Sequence, residues 1–170
     1  MLFLLPPSES KAQGGSPLGI DLVALTFGGM QPARDQVFEA SGLDLSLLSA
    51  PTMPAIDRYT GTLYGAIHGR GLKGTPTEFN ELTKAERERA KKSVFIQSAL
   101  FGLIPATNLI PFYKFSPNTK LPNLNLKKHW AEAHSIIWKR LEGQQIIDLR
   151  SKQYAELAPI PEHFDALTVE

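Results

Sequence analysis

The chain contains no cysteine. That absence removes a disulfide framework, a thiolate metal site and a cysteine nucleophile together, and it suits a reducing compartment such as the cytoplasm. No apolar run approaches the roughly 20 residues needed to cross a bilayer, so no membrane partner is expected. The apolar run at the N-terminus, Leu2 to Leu5, has no basic stretch before it and is broken by Pro6-Pro7 far short of a secretory h-region; it reads as a strand, not a signal peptide. Excess charge is scarce too, with 18 Lys and Arg against 17 Asp and Glu for a net +1. Whole-molecule charge therefore gives no drive toward nucleic acid, and any anion site must come from local clustering of cations. His68, His129, His134 and His163 lack metal-ligand spacing, and His129 and His134, five apart, fall on different faces of one helix. No metal site and no cofactor is expected.

What is present fits a single domain spanning residues 1–170: 42% apolar residues in a chain of this length are enough for a substantial core. Met1 to Leu5, fully apolar, predicts a central strand stopped by two prolines. Pro32 opens a short helix through Glu39. Leu43 to Pro54, punctuated by Pro51 and Pro54, predicts no more than a helical turn or two. Ala55 to Tyr59 reads as a second strand, and Thr60-Gly61-Thr62 as the turn into a short helix through Tyr64 and Ile67. Gly69 to Pro76 holds three glycines around Arg70 and Lys73, but the spacing matches no phosphate-binding fingerprint, so a solvated basic loop is expected. Thr83 with Glu86 is a capping box opening the helix Lys84 to Lys92, which delivers the chain into a strand from Ser93. Trp130, Ala133, Ile137 and Leu141 recur at helical spacing, with both tryptophans assigned to the core. Gln145 to Leu149 is a further strand, and Ser151 is placed to N-cap a helix carrying Tyr154 and Leu157. Strands alternating with helices predict an α/β (mixed α+β) architecture, with a largely parallel or mixed central sheet flanked by helices.

The candidate site lies beyond the strand ends. Ser8 to Lys11, Tyr59 to Tyr64, Ser98 to Gly102, and Asp148 to Ser151 each put small, hydroxyl, aromatic or charged residues just past a strand. In open α/β sheets ligands bind at that edge, although each turn read singly is an ordinary capped connection. Ser98 and Gly102 flank Phe101 in a sharp turn, and the chain then runs through Pro111 to Tyr113-Lys114 and on to Lys120. The candidates for nucleic-acid or anion contact are Ser8, Lys11, Tyr64, Ser98, Phe101, Gly102, Tyr113, Lys114, Lys120, Arg150 and Ser151. Of these, Ser8, Tyr64, Ser98, Tyr113, Lys114 and Arg150 are expected to line one cleft. A Ser8 or Ser98 nucleophile assisted by Lys11 or Lys114 lacks any nucleophile elbow, so both serines are read as capping residues and no catalytic residue is assigned.

Leu2-Phe3-Leu4-Leu5-Pro6-Pro7-Ser8-Glu9, Tyr59-Thr60-Gly61-Thr62-Leu63-Tyr64, Ser98 to Pro105, Pro111 to Lys114, and Ile147 to Ser151 with Tyr154 together resemble the YaaA peroxide-stress family, in the family's order and across nearly the whole chain. The resemblance implies a cytoplasmic bacterial protein that limits damage under hydrogen peroxide by keeping intracellular iron low. It also implies a mixed α/β fold that binds DNA through a basic cleft, with a helix-hairpin-helix-like element. Two departures qualify it. Family members carry a further basic C-terminal segment, whereas this chain stops at Ala166 to Glu170, the opening of a strand; truncation, with loss of part of the sheet and cleft, is the expectation. Between Leu43 and Arg58 there are two prolines and no glycine-hinged helix pair, so the hairpin element is expected to be short or missing. Three functions stay open. One is sequence-independent DNA binding, with Lys114, Lys120 and Arg150 on phosphates and Tyr113 or Phe101 packed on sugar or base. Another is an enzyme acting on a phosphorylated or nucleotide-like small molecule, with backbone donors at Ser98 and Gly102. The third is a regulatory protein binding a partner through the same cleft.

Overall fold

A computed structural model describes residues 1–22, 24–69 and 82–169. In chain order its elements are β1 (Leu2–Leu5), α1 (Gln31–Ser41), β2 (Thr52–Pro54), α2 (Ala55–Arg58), α3 (Thr62–Ile67), α4 (Lys84–Ser93), β3 (Val94–Ser98), β4 (Gly102–Pro105), β5 (Leu109–Pro111), α5 (Leu126–Arg140), β6 (Ile146–Asp148), α6 (Lys152–Ala155) and β7 (Ala166–Thr168). The glycine-rich basic loop expected over residues 69–76 falls, from Arg70 onward, outside the described residues.

The main sheet runs β4-β3-β1-β6-β7. β1 pairs in parallel with both β3 and β6, and β7 extends the sheet in parallel from β6, whereas β4 is antiparallel to β3. The sheet is thus mixed and mostly parallel, as the alternation of elements predicts. β1 is central because Leu2, Leu4 and Leu5 are all buried, and a strand covered on both faces has no use for polar alternation. β7 is the outer strand on its side, with Leu167 63% exposed. β2 and β5 form a separate antiparallel pair.

Helix ends follow local chemistry. Thr83 Oγ1 accepts the Glu86 N–H at 3.3 Å while the Glu86 carboxylate accepts the Thr83 N–H at 2.7 Å, the reciprocal capping box expected for α4. α5 buries Leu126, Trp130, His134, Ile137 and Trp138 along one stripe, so both tryptophans are core.

Two expectations are corrected. Ala55 to Tyr59 is the helix α2 and not a strand; the strand lies just before it, at β2. Five residues are too few for periodicity to separate the two states, and Pro54 and Asp57 sit where a helix N-terminus takes them. The turn after β3 leads into the hairpin partner β4. Gly102 adopts φ +71°, and Ser98 Oγ accepts the N–H groups of Leu100 and Phe101, both at 3.1 Å, closing a three-residue loop. Ser151 does occupy the N-cap of α6, but its hydroxyl makes no capping bond. Between Leu43 and Arg58 the chain forms a short 3₁₀ turn, Leu45–Ser49, and then β2 and α2.

Candidate functional site

Where β1 ends, the chain is held by groups from α3 and the turn before it. Tyr64 OH donates to the Pro6 carbonyl at 2.7 Å. Ser8 Oγ accepts the Thr60 N–H at 3.0 Å and donates to the Ser10 carbonyl at 2.5 Å, so this hydroxyl is fully committed to the loop. Gly61 lets the two segments approach, since a Cβ there would lie 2.9 Å from Ser8 Cβ. The loop turns Lys11 inward. Its Nζ donates to the carbonyls of Ser8 (3.0 Å) and Glu9 (3.3 Å) and sits 4.7 Å from the ring centre of Tyr113 and 5.4 Å from that of Tyr59. Burial lowers the pKa of this amine, with Glu9 working in the opposite direction. Desolvation raises the phenols of Tyr59, Tyr64 and Tyr113, which therefore stay protonated as hydrogen-bond donors.

Beneath Lys11 runs a chain of hydroxyls. Ser98 Oγ already accepts two backbone N–H groups, so its own proton goes to Tyr113 OH at 2.8 Å, and Tyr113 OH lies 2.6 Å from Tyr59 OH. The hairpin below is satisfied by side chains from two helices: Trp130 Nε1 donates to the Ala99 carbonyl at 2.8 Å, and Arg34 Nε to the Phe101 carbonyl at 3.0 Å. His134 accepts the Leu103 N–H on Nε2 at 3.1 Å, which fixes the tautomer with Nδ1–H donating to the Trp130 carbonyl at 2.6 Å. Complete burial moves its pKa down to about 3, so it is neutral.

Above Lys11 and Tyr113 opens a polar cleft of about 140 Å³, walled by Ser8 and Glu9, by Ser116 and Asn118, and by Gln153 and Tyr154 of α6. A second, more open groove lined by Lys120 and Lys127 shares Pro117 and Asn118 with it. Of the residues expected in one cleft, Ser8 and Tyr113 line it, joined by the anion-contact candidate Lys11, while Tyr64 and Ser98 support them from below and Lys114 and Arg150 are not in its lining. Lys114 and Lys120 are exposed, and neither has an ion-pair partner among the described residues. Ser151 is exposed as well.

Arg150 departs from expectation. It is 3% exposed, with Nε and Nη2 each 2.8 Å from the Asp148 carboxylate and Nη1 donating to the Ala158 carbonyl at 3.0 Å, so its fork is consumed inside the protein and offers nothing to a phosphate. Phe101 and Gly102 are buried too; the Phe101 ring packs against Tyr113 with centroids 5.1 Å apart, and neither reaches a ligand's sugar or base. Sequence reasoning missed Ser116, Asn118, Gln153 and Tyr154 as lining residues, since nothing local says that the loop after Tyr113 folds against α6. Among the described residues no group of three or more His, Asp or Glu is placed to hold a metal ion, and no helix is long and apolar enough to cross a membrane.

Comparison with known proteins bears out the family resemblance. Residues 29–169 match the family described as peroxide stress protein YaaA. A UPF0246 protein of Corynebacterium efficiens is 35% identical, the match covering 95% of this chain and 71% of the relative. One from Corynebacterium glutamicum is 34% identical, covering 99% and 73%. One from Streptomyces coelicolor is 31% identical, covering 91% and 66%. With a family match over well more than half of the chain and relatives at 31–35% identity covering more than nine-tenths of it, the chain belongs to the YaaA peroxide stress protein family, together with these UPF0246 relatives.

Proposed function

We propose that this protein serves the response to hydrogen peroxide by binding DNA without sequence preference, and that protection of DNA and the lowering of intracellular iron follow from that binding. The observation that carries the reading is the pair Lys114 and Lys120, exposed, without ion-pair partners among the described residues, and carried on the segment that walls the polar cleft. Lys127 lines the same groove as Lys120, although it is ion-paired to Glu156. In a molecule of net charge +1, such a local patch confers a modest, contact-by-contact affinity for phosphates.

The test is fluorescence anisotropy with a labelled duplex across a salt series. The parent is expected to show log K falling with log salt at a slope of about 0.9 per phosphate contacted. Lys114→Glu with Lys120→Glu removes two contacts, reverses both charges and touches nothing buried, so it is expected to abolish binding with the fold intact. Arg150 is left out of the variant because its charge is used in the core. Equal affinity for parent and double variant, or a flat salt dependence, rejects the DNA reading.

The enzyme reading gains no nucleophile from the two serines, which read as capping residues. Ser8 Oγ is committed at both its donor and acceptor positions, and Ser98 Oγ lies in the interior with two N–H groups on it.

A further inference from the structure

We infer that the cleft above Lys11 is a binding site for one phosphate group, presented as the terminal monoester of a small molecule or of a nucleic-acid end. The argument is a count of donors and acceptors. Lys11 Nζ has three N–H bonds and uses two, on the carbonyls of Ser8 and Glu9, leaving one. Ser116 Oγ accepts the Asn118 N–H at 3.2 Å, which leaves its own proton to give. Gln153 Oε1 accepts from Asn118 Nδ2 at 3.4 Å, so both protons of the Gln153 amide are unused. Tyr154 OH has no partner among the described residues, and burial raises its pKa, so it too remains a donor. Against this surplus the lining supplies one free carboxylate, Glu9, which is exposed at the rim.

A cleft with more donors than acceptors, one of them an ammonium, is complementary to an oxyanion. Size narrows the class. Sites for whole drug-sized ligands run from about 300 Å³ upward. The 140 Å³ here takes a compact tetrahedral group and excludes a nucleoside, which would lie outside, toward the adjoining groove of Lys120. The geometry also differs from a bare surface lysine: cation–π contact with two buried rings and two carbonyl bonds fix Lys11 before any ligand arrives, so little side-chain entropy is lost on binding. The inference is independent of DNA binding through Lys114 and Lys120, because none of its donors is one of those lysines.

The test is a two-dimensional NMR titration of the full chain with inorganic phosphate, against sodium chloride at matched ionic strength. Saturable shifts are expected for Lys11, Ser116, Gln153 and Tyr154 and not in the chloride arm. Lys11→Met should weaken binding at least about tenfold, as loss of a charge-assisted bond does. Tyr154→Phe removes an O–H with no internal acceptor among the described residues and Ser116→Ala gives up one exposed bond from the Asn118 N–H, so both are expected to fold and should each weaken binding several-fold. Lys114→Glu with Lys120→Glu should retain it. A mononucleotide and a 5′-phosphorylated oligonucleotide, each set against its unphosphorylated counterpart, identify the source: preference for either phosphorylated form supports the site. Absence of saturable shifts, or equal phosphate affinity in Tyr154→Phe, Ser116→Ala and parent, overturns it.

Discussion

Arg58 is the residue whose replacement tests the physical account of the site most directly. It is fully buried, yet no carboxylate among the described residues lies in ion-pair range. Its guanidinium is spent on backbone carbonyls: Ala12 at 2.5 Å and Gly14 at 3.1 Å in the loop after Lys11, Pro51 at 2.9 Å before β2, and Ile110 at 3.2 Å in β5. Three separate segments are pinned by one side chain. Arg58→Met keeps the apolar stem and leaves four carbonyls short of a donor. Each buried carbonyl left short of its donor costs about 1–3 kcal/mol, and removing the guanidinium gives back the cost of burying its charge, so a net loss of about 3–5 kcal/mol is expected. That is a large part of the roughly 5–15 kcal/mol total of a domain. It corresponds to a fall in Tm of about 6–20 °C at this chain length. Urea unfolding followed by the fluorescence of the buried Trp130 and Trp138 measures it. Arg58→Lys should recover little, because an ammonium cannot fork across four carbonyls. A methionine variant within about 1 kcal/mol of the parent would refute the reasoning, since the cost of burying the guanidinium would then equal everything it holds.

Two further outcomes are expected. Gly102→Ala should lose about 2–4 kcal/mol, combining left-handed backbone strain with overpacking, because the new Cβ would lie 2.6 Å from Met30 Cε and 2.9 Å from Trp130 Cζ3; a denaturant midpoint lowered at unchanged slope is the check. His134 makes stability depend on pH with a definite sign. Its folded pKa, about 3, is below the unfolded 6.5, so below pH 6.5 the unfolded chain takes a proton that the native state refuses. Stability is fully present above pH 6.5 and should fall by about 1.4 kcal/mol per pH unit from about pH 6 downward, a decline visible between pH 6 and 5 before the carboxylates titrate. A midpoint unchanged across that interval contradicts a neutral, fully buried imidazole.

How much was legible in the sequence depended on how local the determining interaction was. The central β1 strand, the α4 capping box, the apolar stripe of α5 and the family itself are written in neighbouring residues, and each stands in the structure as read. The strand β2, three residues before the expected start, and the helix α2 escaped because a five-residue segment carries no periodicity. The site was half legible. Ser8, Lys11 and Tyr113 follow or face strand ends and were found, but Tyr154, Gln153 and Ser116 joined them through a loop packing on α6 that no short-range pattern encodes. Arg150 shows the boundary most plainly. Its charge is a property of the residue, fixed before folding, and beside a strand end it reads as a phosphate contact. Whether a guanidinium faces water or is spent inside depends on which acceptors surround it, and here Asp148 and the Ala158 carbonyl meet it in the interior. The sequence by itself determined most of the elements, the central place of β1 and the family. Tertiary structure decided which cations remain free, because solvation and hydrogen-bond partners exist only once distant segments have packed together.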